Sequence, residues 1–218
     1  MTWDEIWPLL RQGTVETLQM TLWSTVITAV FGVLLGLALV VTDRRGLAPV
    51  PAVHHLLGLV VNVGRSIPFI ILLVALLPLT RALVGTTIGT TAAIVPLAIS
   101  AIPFYARLVE TSLREVDPGV VDAARAMGAS RVQIAGKVLL REARPGLLAG
   151  LTVTFVALIG YSAMAGAIGG GGLGDIAIRY GYQRFENTVM IAVVAVIVVL
   201  VQVVQLLGDR LVRRLSHR

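Results

Sequence analysis

The chain has 218 residues, 56% of them hydrophobic and only 14% charged, with a mean hydropathy of +0.88. That balance lies outside the range of soluble globular domains, so lipid is the expected solvent for most of it. The absence of cysteine excludes disulfides and thiolate-ligated metals, three scattered histidines make no metal cluster, and the net charge of +6 punctuates apolar runs rather than forming a nucleic-acid-binding face.

At the N-terminus, Asp4 and Glu5 stand where a cleavable signal would be basic, so the first apolar run is expected to persist in the mature protein. Trp3, Ile6, Trp7, Leu9 and Leu10 predict a short interfacial segment ahead of it. A crossing helix needs about 20 apolar residues. Four runs without Asp, Glu, Lys or Arg meet that length: 17–42, 82–106, 145–174 and 187–208. Trimmed of their polar or glycine-rich ends, they predict spans at 17–42, 86–106, 147–168 and 187–207.

A further span is expected over 56–77, although Arg65 interrupts it. The fold class is therefore an all-α integral membrane protein of about five spans, in one transmembrane domain over 1–218. An unpaired cation near mid-span costs at least about 2.5–3.5 kcal/mol, so Arg65 must face protein or water. Two readings stay open: Arg65, with Ser66 beside it, is a substrate or gate residue for an amino-acid carboxylate, or it pairs with helix carbonyls or with Asn62. Pro68 and Pro78 in span two, and Pro96 and Pro103 in span three, each remove a backbone donor and are able to kink a helix.

Five spans put the termini on opposite sides. Arg44, Arg45, Arg107, Arg114, Arg125, Arg131, Lys137, Arg141, Arg144, Arg210, Arg213, Arg214 and Arg218 fall on one side, against Arg11, Arg81, Arg179 and Arg184 on the other. The basic side is expected to be cytoplasmic, with the N-terminus outside, the C-terminus inside and 107–144 as the largest cytoplasmic connection. Within that connection Asp117 caps a helix opened by Pro118 and stopped at Gly128, and Ser130 with Gln133 has the spacing of a capping box. The small side chains of Ala123, Ala124 and Ala126 permit close approach by another surface. The pattern alone allows either docking into a partner or two amphipathic helices resting on lipid headgroups.

Asp122-Ala123-Ala124, three residues, Gly128, nine residues, then Val138-Leu139-Leu140 resembles the EAA loop of binding-protein-dependent ABC importers. Asp122 replaces the usual leading Glu and Arg141 the usual proline. The resemblance extends to the methionine permease branch through Arg65-Ser66-Ile67-Pro68-Phe69, Gly160-Tyr161-Ser162-Ala163-Met164, the run 169–174 and Tyr180-Gly181-Tyr182. It implies a type I importer permease acting as a homodimer in the bacterial cytoplasmic membrane. A separate ATPase dimer would be engaged through Asp122, Ala123, Ala124, Ala126 and Gly128, and an external substrate-binding protein would deliver methionine.

ATP and Mg are expected on the partner ATPase, and no cofactor or metal on this chain: its only lysine, Lys137, is followed by Val138, and Arg131 stands where a P-loop needs glycine. Tyr161, Ser162 and Met164 are candidates for the pathway, with ordinary helix packing as the alternative. The run 169–174 is expected to form an external turn where the binding protein docks. Another amino acid or small polar solute remains a rival substrate, and an ion-gradient-driven transporter the rival mechanism. No HExxH, nucleophile elbow or intramembrane carboxylate pair supports a membrane enzyme.

Overall fold

The computed structural model describes residues 1–216, so Arg218, counted above on the basic side, lies outside the described residues. Among those described, all regular structure is helical. Helix α1 runs from Trp3 to Thr42 without a break, so the expected separate interfacial segment is the first turns of one long helix. Pro8 is tolerated near its start, and Trp3 and Trp7 remain exposed.

One stripe of α1 is small or hydroxylated: Thr17, Thr21, Ser24, Thr25, Thr28, Gly32 and Gly36 are all buried. The hydroxyls of Thr21 and Thr25 donate to the carbonyls of Thr17 and Thr21 at 2.7 Å, which satisfies them inside the helix. The stripe packs along α5 (Thr90–Arg114). Without a hydrophobic driving force between helices in lipid, close backbone approach has to supply the attraction, and small residues four apart permit it. A Cβ on Gly32 would lie 2.7 Å from the ring of Tyr105, and one on Gly36 2.7 Å from the carbonyl of Ala106.

The region expected as the second span is α2 (Pro51–Ser66) followed, after a bend of 104°, by α3 (Phe69–Ala75). The cause is local. Pro68 has no N–H to continue the ladder and pushes Ile67 into extended backbone (φ −84°, ψ 123°). A short α4 (Leu77–Val84) with Pro78 in its first turn then ends on Gly85 at φ +82°, which defers the start of α5 to Thr90 rather than residue 86. Pro96 and Pro103 are buried inside a continuous α5.

The loop after α5 holds α6 (Pro118–Ala126) and α7 (131–142), whose middle, Ile134–Leu139, widens into a π-helical turn. Helix α8 (Arg144–Ala165) leads through the kinked segment Gly166–Gly170 into α9 (Gly172–Ile176), and α10 (Asn187–Ser216) closes the bundle. The run 169–174, expected as an external turn, is largely buried within the chain: Gly170, Gly172, Leu173 and Gly174 are buried. Glycine is required there because α9 is wedged between Met20 and Thr17 of α1 and the backbone of Ala163. Across 156 residues, Glu16 accepts from the Gly172 N–H at 2.7 Å and Thr17 Oγ1 from the Leu173 N–H at 2.9 Å, so α1 supplies the caps of α9.

Candidate functional site

The α6–α7 turn is built almost wholly from local chemistry. Asp117 Oδ1 accepts from the Gly119 N–H at 2.7 Å, and Pro118 needs no donor at the first helical position. Gly128 adopts φ +82°, donating its N–H to the Arg125 carbonyl at 2.9 Å while the Ala129 N–H reaches the Ala124 carbonyl at 3.0 Å. Ser130 and Gln133 exchange bonds of 2.8 and 3.3 Å and open α7.

Of the five residues singled out in this loop, Ala124 points inward, and Asp122, Ala123, Ala126 and Gly128 are exposed. Met127 stands 82% exposed at the apex, a large apolar side chain with nothing of its own chain to cover it. Ala124 belongs to a buried cluster with Tyr105, Val109 and Leu113 of α5 and Ile134 and Leu139 of α7. A displacement of α6 therefore meets α7 first and, through the cluster they share, the side chains of α5, and such interiors transmit strain rather than absorb it.

Charge reinforces the same junction. Arg114 at the end of α5 bonds Asp43, just after α1, at 2.6 Å and Glu110 at 2.8 Å, and Arg107 bonds Glu110 from the other side at 2.6 Å. Glu110 is buried and so needs these partners. The hydrogen bond from Arg114 holds the Asp43 carboxyl below its ordinary value of 3.8. A carboxyl lowered in the folded chain adds stability above its unfolded value, and that contribution is lost as the pH falls through the lowered one. Asp43→Asn is thus expected to flatten the acid side of a melting-temperature profile below about pH 4, while Arg114→Ala is expected to lower the melting temperature at neutral pH as well. Sequence reading missed this cluster because Asp43 and Arg114 are 71 residues apart.

At the α2–α3 bend, Arg65 is exposed, and no hydrogen bond or ion pair among the described residues engages it. No hydrogen bond joins Arg65 to Asn62 among the described residues; the Asn62 backbone carbonyl accepts from the Ser66 hydroxyl at 2.8 Å. Four residues after Arg65, the buried ring of Phe69 stacks on Tyr161 of α8, centroids 4.8 Å apart and planes 7° from parallel. This tethers the bend to α8. Met164 is exposed on the same helix, whereas Ser162 is buried with its hydroxyl donating to the Ile159 carbonyl at 2.7 Å. Ser162 therefore serves its own helix, and the structure does not bring it together with Arg65.

Residues 30–217 match the family described as the binding-protein-dependent transport system inner membrane component. The chain is 52% identical over 210 residues to the probable D-methionine transport system permease protein MetI of Vibrio cholerae, covering 96% of this chain and 93% of that one. It is 46% identical over 180 residues to the methionine import system permease protein MetP of Bacillus subtilis, 83% and 81% of the two chains. A permease chain solved in inward-facing conformations of the MetNI methionine ABC transporter superposes with a TM-score of 0.96 at 47% identity, over 99% of both chains.

Proposed function

The chain belongs to the inner membrane components of binding-protein-dependent transport systems and is a methionine ABC permease by likeness, and from that premise we propose that two copies form the path of an ATP-driven methionine importer whose separate ATPase acts through the loop around Asp122–Gly128. The carrying observation is the exposed apolar apex at Ala126, Met127 and Gly128 set on a helix that packs on α7 and whose Ala124 enters a buried cluster shared by α5 and α7. An apex of that kind, a bare apolar side chain on a turn of small residues, suits a cleft on a partner, and Asp122 and Arg125 beside it pair with each other at 3.2 Å.

In this reading, closure of the ATPase dimer drives α6, the Ala124 cluster carries the displacement into α5, and α5 moves α1 through the Gly32–Gly36 contact. The long basic connection lies in the cytoplasm, the N-terminus lies outside, and a substrate-binding protein delivers methionine at the outer end. Arg65 faces the water-filled path between copies beside Ser66, while Tyr161 and Met164 of α8 line the same path, and Arg65 offers a cation to the substrate carboxylate. The unpaired state of Arg65 supports this role, because a lipid-facing arginine at that depth would be too costly.

Since the chain has no cysteine, Met127→Cys is a clean reporter. It is expected to cross-link to the ATPase subunit in an ATP-dependent pattern; no cross-link in any nucleotide state would remove the coupling role. Arg65→Gln is expected to lower uptake about tenfold or more, equivalent to roughly 1.4 kcal/mol of lost carboxylate recognition. Normal uptake with unchanged apparent affinity would remove Arg65 from the path.

A further inference from the structure

Two concavities lie along one seam of the bundle, between α8 and α10. The first is an apolar groove of about 590 Å³ lined by Leu18 and Leu22 of α1, Phe155 of α8, and Val199, Val203 and Leu207 of α10, among others. The second, of about 420 Å³, is polar and lies where α8 begins and α10 ends, lined by Arg141, Arg144 and Arg214 with Glu142 and Pro145. Val203, Leu207, Leu211 and Arg214 are spaced four, four and three residues apart, so one face of α10 runs from the groove to the basic cleft. Leu211, which bridges them, is 51% exposed.

We propose that this seam binds one anionic phospholipid from the leaflet on the basic side, with its phosphate on Arg144 and Arg214 and an acyl chain in the groove. Charge chooses the occupant. No ion pair among the described residues engages Arg141, Arg144 or Arg214, and Glu142 offsets only one of the three charges. Length agrees: the α10 side of the groove covers twelve residue steps, about 18 Å at 1.5 Å each, close to the hydrocarbon depth of one leaflet. The cleft begins two turns below, at headgroup level. Held there, the lipid joins the last helix to α8 at the point where α8 leaves the α7 segment, so its charge would steady the base of the coupling loop.

The full chain in phosphatidylcholine nanodiscs doped with phosphatidylglycerol, read by native mass spectrometry, tests the site. Phosphatidylglycerol is expected to be retained over phosphatidylcholine. Arg144→Gln with Arg214→Gln should reduce that retention at least tenfold, one surface cation being worth about five-fold, and lysine at both positions should restore it. Val203→Trp, which fills the groove at an exposed position, should also release the lipid with both cations intact. Equal retention of the two lipids would overturn the proposal. So would displacement of phosphatidylglycerol by inorganic phosphate with no effect of Val203→Trp, which would assign the arginines to a soluble anion. Disulfide-linked pairs of Val203→Cys chains would instead give the groove to a second copy and overturn it equally.

Discussion

Gly128→Val leaves the bundle folded and lowers ATP-driven uptake about tenfold or more. The turn between α6 and α7 holds Gly128 at φ +82°, a conformation that costs an L-residue about 1–2 kcal/mol and a β-branched one at least as much. Nothing lies within 4 Å of the position a Cβ would take, so the penalty is wholly in the backbone and no neighbour is displaced. The strain is relieved by reorienting the turn, which swings Met127 and Ala126 away from the surface they present. Membrane insertion and melting temperature should stay near wild type while uptake falls, because the residue is exposed and at the edge of the fold. A parallel fall in both quantities would mean that the turn is a folding element rather than a coupling element.

Gly36→Leu acts in the opposite way, removing the folded chain rather than its coupling. A Cβ at this position would already sit 2.6 Å from Val109 Cγ1 and 2.7 Å from the carbonyl of Ala106, and the latter is backbone that has no rotamer to yield. Three more carbons must separate α1 from α5, the most extensive helix pair of the bundle. Overpacking of this kind costs about 1–3 kcal/mol or more, and lipid offers no hydrophobic penalty to hold the separated helices together. The level of chain in the membrane should fall sharply, and what remains should melt early in detergent. Gly58→Ala is the control: its Cβ meets nothing within 4 Å, and alanine favours the helix by up to about 1 kcal/mol.

These two glycines also divide what the sequence discloses from what it hides. Gly128 is legible because its role is local: Asp117, Pro118, Ser130 and Gln133 punctuate the same short stretch of chain, Pro118 opens the helix without a donor, and the other three make the bonds that their spacing predicts. The Gly32–Gly36 pair is a four-residue spacing in an apolar run, a signal present in the sequence but drawn on only once α5 is seen against it. Pro68 announces a break but not the 104° through which the chain turns, since the direction is set by Phe69 finding Tyr161 more than ninety residues away. The run 169–174 misleads for the same reason. Six residues rich in glycine read as an external docking turn, whereas their missing side chains let α9 lodge against α1 and take its caps from Glu16 and Thr17. Ser162 shows the limit at a candidate site, because a hydroxyl in a membrane helix bonds as readily to its own backbone as to a substrate.

The most direct measurement is uptake of labelled L-methionine by sealed vesicles holding this chain with its candidate ATPase and binding protein, driven either by ATP or by an imposed proton gradient. The proposed mechanism predicts uptake that requires ATP and the ATPase, survives dissipation of the gradient and falls with Gly128→Val. Uptake that persists without the ATPase and collapses with the proton gradient would contradict it.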